Sequence, residues 1–173
     1  MNSTKSFIQA FESIRNQSNS DFIDNMIQLV QKNELYRDNI DQAIKETYTG
    51  DYLSSKNTFL DMILEYINLV LEDNHISEEE YKNVKMLKRL FKIEEGDFYN
   101  LRFKEIREII LKQLFLIYQD LKADEFELIH KAELQGVFDL SYDQMNEFSI
   151  EEAQKAIMFG ASLSDLDVFM NPE

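Results

Sequence analysis

Apolar residues in this chain recur at helical spacing from the first turns onward. Phe7, Phe11 and Ile14 open the pattern and predict a helix over about Thr4–Asn16. Phe22, Ile23, Met26, Ile27 and Val30 predict a second after Ser20, and a third covers about Tyr36–Tyr48 before Gly50. A longer stripe follows. Phe59, Met62, Ile63, Tyr66, Ile67, Val70 and Leu71 fall at i, i+3, i+4, i+7, i+8, i+11 and i+12, with no strand-like alternation. It ends near Asp73-Asn74-His75, and another helix runs from Ser77 through Val84, Leu87 and Phe91. The stretch from Asp97 to Leu121 reads as one long helix with a kink. Its segment Ile106–Tyr118 leaves little polar face, which places it at the centre of the fold. Further helices are expected over Asp124–Phe138, Ser141–Phe148 and Ser149–Phe159, with Gly160 as the stop.

Three starts carry capping boxes: Ser77-x-x-Glu80, Ser141-x-x-Gln144 and Ser149-x-x-Glu152. Asp124-x-x-Glu127 is a close relative. In each, the first side chain accepts from a free backbone N–H, and the acid or amide three residues on reaches back.

The chain also repeats itself. At an offset of 47 residues Asp73 falls on Asp120, Glu78 on Glu125, Glu80 on Glu127, Leu87 on Leu134 and Phe91 on Phe138. Tyr52/Tyr99, Ile63/Ile110, Leu64/Leu111, Leu69/Leu116, Glu105/Glu152 and Ile110/Ile157 match as well, giving eleven identities in 61 ungapped pairs. Chance gives about four in that many. The expected architecture is therefore an all-α helical bundle built from a duplicated helix–turn–helix unit over 51–173, with residues 1–50 as extra helices packing on that core.

Composition supports this class. With 173 residues, four Gly and one Pro, the chain lacks the turn residues of an all-β domain. It has no Cys, which removes disulfides, thiol nucleophiles and Cys-based metal sites, and only two His. The net charge of −15 disfavours nucleic acid and anionic lipid. Residues 121–173 hold 3 basic and 12 acidic side chains, a setting for a cation or a basic protein partner, or a solvated surface that keeps the chain soluble. No run approaches a membrane span and no signal sequence opens the chain, so a cytoplasmic protein is expected.

The repeat preserves acids as well as core positions. Asp73 and Asp120 end a helix, and Glu80 and Glu127 follow seven residues later. Convergence of these four carboxylates across a pseudo-two-fold axis would suit a hard divalent cation, calcium or magnesium. Helix capping explains Glu80 and Glu127 equally well. An EF-hand does not fit, because the first ligand positions would be Leu69 and Leu71. Glu127-x-x-His130 is half of a di-iron motif, but Asn83 stands at the first-copy equivalent of His130, so His130 is expected as a surface or half-buried helix residue. Lys85, Lys88, Arg89 and Lys92 line one face of the helix opened by Ser77, a candidate site for an acidic partner or a solvated face suited to the helix dipole. No phosphate loop or nucleophile elbow is present, and no enzymatic activity is expected.

The segment Leu71-Glu72-Asp73-Asn74-His75-Ile76-Ser77-Glu78-Glu79-Glu80, followed by Leu87, Phe91, Ile93 and Phe98, resembles the TerB-like family, named for bacterial tellurite-resistance proteins. Asp73, Ile76, Ser77 and Glu80 match the family's pattern, and Asn74 stands where Gly is usual. In the second copy Asp120 and Glu127 match, whereas Leu121 replaces the Gly and Ala123-Asp124 replaces Ile-Ser. The resemblance covers about residues 55–160. It implies a helical domain with an acidic cluster in a stress-response or membrane-complex setting, and the expected function is a non-enzymatic domain that binds a divalent cation or a protein partner at that acidic corner. The other functional class compatible with the charge is an acidic interaction protein, immunity- or antitoxin-like, that masks a basic partner.

Overall fold

Each apolar stripe forms a helix because its core side chains share one face. A computed structural model of the chain describes residues 3–15, 20–47, 52–118 and 125–158; these form helices joined by short turns, with no strand among them. The helices are α1 (Ser3–Ser13), α2 (Ser20–Gln31), α3 (Arg37–Thr47), α4 (Tyr52–Val70), α5 (Glu78–Leu90), α6 (Asp97–Leu101), α7 (Phe103–Tyr118), α8 (Glu125–Val137) and α9 (Tyr142–Met158). A 3₁₀ turn, Leu71–Asp73, closes α4. Among the described residues no helix is long and apolar enough to cross a membrane.

Packing divides the chain into two units, Met1–Glu94 and Glu95–Glu173. In the first, α1 packs on α2 and α4, α2 on α3, and α4 on α5. The helices on either side of residue 50 thus share one core. Phe7 meets Tyr66 with ring centroids 4.7 Å apart, and Phe59 stacks on Phe91 at 4.4 Å, its other side met edge-on by Phe22 at 5.6 Å. All of these rings except Phe7 are at most 1% exposed, and full burial of one such side chain is worth roughly 1.5–3 kcal/mol. Arg37 joins the end of α5 to α3. It pairs with Asp41 at 2.9 Å and donates to the Leu90 carbonyl.

In the second unit α7 packs chiefly on α9 and also on α8. Ile106, Ile110 and Leu114 are fully buried on α7, with Leu134, Val137 and Phe138 on α8 and the following turn. The kink expected between Asp97 and Leu121 is a break at Arg102, which leaves helical geometry at φ −139° and separates α6 from α7.

Two expectations need correcting. Ser149 does not start a helix: α9 runs through it unbroken. Its buried hydroxyl donates to the Met145 carbonyl at 3.0 Å, so it satisfies itself within the helix rather than capping one. Nor is α7 apolar on all sides to a buried end. Gln113 is buried, while Phe115 is 50% and Leu116 37% exposed.

The offset of 47 also relates helix ends. α5 spans Glu78–Leu90 and α8 spans Glu125–Val137. Beyond them Lys92 and Asp139 adopt left-handed φ of 50° and 51°. Ile93 N–H then donates to Lys88 O at 2.9 Å, and Leu140 N–H to Gln135 O at 3.0 Å. Both are the 6→1 bond of a Schellman C-cap.

Candidate functional site

The acidic turn of the first unit is built by backbone need. Once α4 and its 3₁₀ turn end, Asn74 takes φ 60°, ψ 27°, a left-handed position that Asn tolerates better than most residues. Asp73 Oδ1 then accepts the His75 backbone N–H at 3.1 Å, the local turn bond for which Asp is suited. Ser77 sits extended at φ −67°, ψ 158° as the N-cap of α5. Its Oγ accepts the Glu80 N–H at 3.3 Å, while Glu80 Oε2 accepts the Ser77 N–H at 2.9 Å and its hydroxyl at 2.6 Å. Asp73 and Glu80 are thus both engaged by neighbouring groups of the same turn.

Asp120 lies outside the described residues. Glu127 falls within α8, but its side chain is outside them too. Among the described residues no three His, Asp or Glu side chains gather.

The basic residues of α5 do not share one exposed face. Lys85, Arg89 and Lys92 are exposed, and Lys85 Nζ lies 4.4 Å from the Tyr81 ring centroid. Lys88 is buried at 6% exposure. It lies one helical turn beyond Val84 and next to Leu87, on the side of α5 that faces the core. Its aliphatic stem suits that place, which a reading of charge alone does not reveal.

Each unit also has a polar contact between its long helix and the next, and this the sequence reading missed. In the first, Asn83 Nδ2 donates to Tyr66 Oη at 3.0 Å. Burial pushes the Tyr66 phenol up to about 12; Glu80 and Glu79 add to this and the Asn83 bond opposes it. In the second, His130 Nε2 lies 2.9 Å from Gln113 Oε1, both side chains buried. Glu133 stands 3.7 Å from His130 Nδ1, and burial lowers the pKa of neighbouring Lys131. His130 is therefore a core residue, not the surface or half-buried one expected. The four positions obey the repeat: 66 and 83 become 113 and 130 at the same offset of 47. A mid-helix polar residue recurring in register was the available signal.

Two surface grooves lie among the described residues. One of about 240 Å³ lies between α2 and α3, lined largely by amides such as Asn25, Gln28, Asn39 and Gln42. Another of about 440 Å³ lies at the end of α8 beside Glu95, Gln135, Gly136 and Asp139.

No known protein family, curated protein or solved structure matches the chain.

Proposed function

We propose that this chain is a non-enzymatic helical interaction protein, built on a duplicated unit of TerB-like kind, whose acidic C-terminal part engages a basic protein partner. The observation that carries the reading is the engagement of Asp73 and Glu80 by backbone and hydroxyl donors of their own turn. Asp73 and Glu80, the first copy's acids of the motif, thereby have a role that calls for no cation. The remaining negative charge is concentrated in residues 121–173, and complementary charge is what such a surface offers a partner. The duplicated unit is supported by the matching ends of α5 and α8 and by the two polar pairs. The TerB-like likeness is supported by Asn74, which occupies a left-handed position where that family usually has Gly.

Thermal melting tests the reading. Calcium and magnesium are expected to leave the midpoint unchanged, while a lysine-rich amphipathic helical peptide raises it, less so as salt increases. A cation-dependent rise that disappears in Asp73→Asn would instead restore the divalent site over Asp73, Glu80, Asp120 and Glu127.

A further inference from the structure

The groove between α2 and α3 is made by two helix faces of the same pattern. Asn25, Gln28 and Leu29 stand at i, i+3 and i+4 on α2, and Asn39, Gln42 and Ala43 repeat that spacing on α3. Residues so spaced share one side of a helix, and all six line the one groove. Lys32 and Glu46 line it as well, each at i+7 in its own row. Leu29 and Ala43 supply an apolar strip, and the four carboxamides flank it. Asn and Gln are 23 of the chain's 173 residues, yet they are four of the nine that line this groove. Solubility is served by charge, as on α5, where Glu78, Glu79, Lys82 and Lys85 are exposed. Neutral amides gathered on two facing rows call for another account.

A carboxamide carries the same donor and acceptor as a peptide unit, so the two can exchange a pair of hydrogen bonds. Two of the four amides are already oriented. Asn39 Nδ2 donates to the Glu34 carbonyl at 2.8 Å, and Gln42 Nε2 to Glu46 Oε1 at 2.8 Å. Each bond uses one N–H, leaving a second N–H and the carbonyl oxygen for a ligand at reduced ordering cost. Dimensions narrow the choice of ligand. From Asn25 to Lys32 the α2 row is about 10 Å long, the length of about three residues of extended chain. The volume of about 240 Å³ is below the roughly 300–1,000 Å³ of sites for drug-sized molecules, and a helix about 10–12 Å across does not enter it. No aromatic ring lines the groove, so a nucleobase finds no stacking platform. We propose that this groove binds an extended peptide segment through its main chain, with the carboxamides of Asn25, Gln28, Asn39 and Gln42 meeting its peptide units over Leu29 and Ala43. Such recognition reads the main chain and tolerates many side chains. It goes beyond the basic-partner reading and does not depend on it.

The test is an NMR titration of the full, isotope-labelled chain, read at the side-chain amide signals of these four residues. The probe is the blocked, uncharged peptide acetyl-Thr-Val-Thr-Val-Thr-amide, whose residues favour extended backbone. Its control is the same peptide N-methylated at the central residues, which removes their main-chain donors. The protein variant is Gln28→Met/Gln42→Met, which keeps length and helix propensity and removes two amides at exposed positions. An unchanged melting curve verifies its fold, and Gln28→Met alone replaces it if the pair destabilises. The plain peptide is expected to shift the four signals saturably, with binding weakened about tenfold or more in the double variant and lost for the N-methylated peptide. Absence of saturable shifts at these signals overturns the proposal. Equal binding of the N-methylated peptide overturns main-chain recognition, and equal binding by the variant puts the peptide elsewhere and overturns the groove. Glucose shifting the same signals where the peptide does not makes this a sugar site and overturns the assignment to a peptide.

Discussion

Removing the charge of Glu80 while keeping its hydrogen-bonding shape separates a cap from a cation ligand. Glu80→Gln retains a carbonyl oxygen for the Ser77 N–H and hydroxyl, now 2.9 and 2.6 Å from Oε2, and Gln serves in capping boxes as Glu does. What is lost is negative charge in the first turn of α5, worth about 0.3–1 kcal/mol through the helix dipole. Glu80→Ala loses the acceptor too. Ser77→Ala removes the other half of the box and is expected to cost about 1 kcal/mol, within a range of about 0.5–2. In a unit of under a hundred residues, 1 kcal/mol moves the midpoint by about 4–8 °C. Melting followed by circular dichroism at the helical minimum is therefore expected to rank Glu80→Gln above Glu80→Ala and Ser77→Ala. The ranking is expected to be identical with chelator or with millimolar calcium or magnesium. A Glu80→Gln penalty that appears only when cation is present would refute the capping account, because a ligand bound to the folded state alone stabilises it in proportion to its binding.

Phe91→Ala removes a ring stacked at 4.4 Å on Phe59 and is expected to cost about 3–5 kcal/mol in urea unfolding; a loss under 1 kcal/mol would show that ring not to be core. Tyr66 titrates late, so absorbance at alkaline pH is expected to show one phenol ionising near 12 that vanishes in Tyr66→Phe. Because that folded-state value lies above the unfolded one of 10.0, the associated stability is present below pH 10 and lost as pH rises through 12. His130→Ala and Gln113→Ala each strand a buried polar partner at a cost of about 1–3 kcal/mol, and a double-mutant cycle is expected to show coupling between them; strict additivity would argue against the contact.

The helices were legible because period and capping act locally. The stripe from Phe59 to Leu71 and the Ser77 and Ser141 boxes are formed as read. What stayed hidden was set by packing. Ser149 carries the same motif as Ser141, but burial against the core turns its hydroxyl back onto Met145. Lys88 belongs by charge with Lys85 and by position with Val84 and Leu87, and position prevailed. Phe115 reads as core on hydrophobicity alone, yet it is 50% exposed while Ile110 and Leu114 on the same helix are fully buried. The candidate site was half legible. Asp73 and Glu80 are where the motif put them, serving their own turn, whereas Asp120 and the Glu127 side chain fall outside the described residues.

The two polar contacts each join residues only 17 apart in sequence, and the contacts themselves lie 47 residues apart. Closures this local are fast, far faster than synthesis at about 5–20 residues per second. On a ribosome the Tyr66–Asn83 hairpin therefore has roughly 2–9 s to form before Gln113 and His130 follow it out. Two similar hairpins in one chain are an invitation to exchange helices. Here the order of emergence itself guards against it: α5 is already committed to α4 when its look-alike α8 arrives.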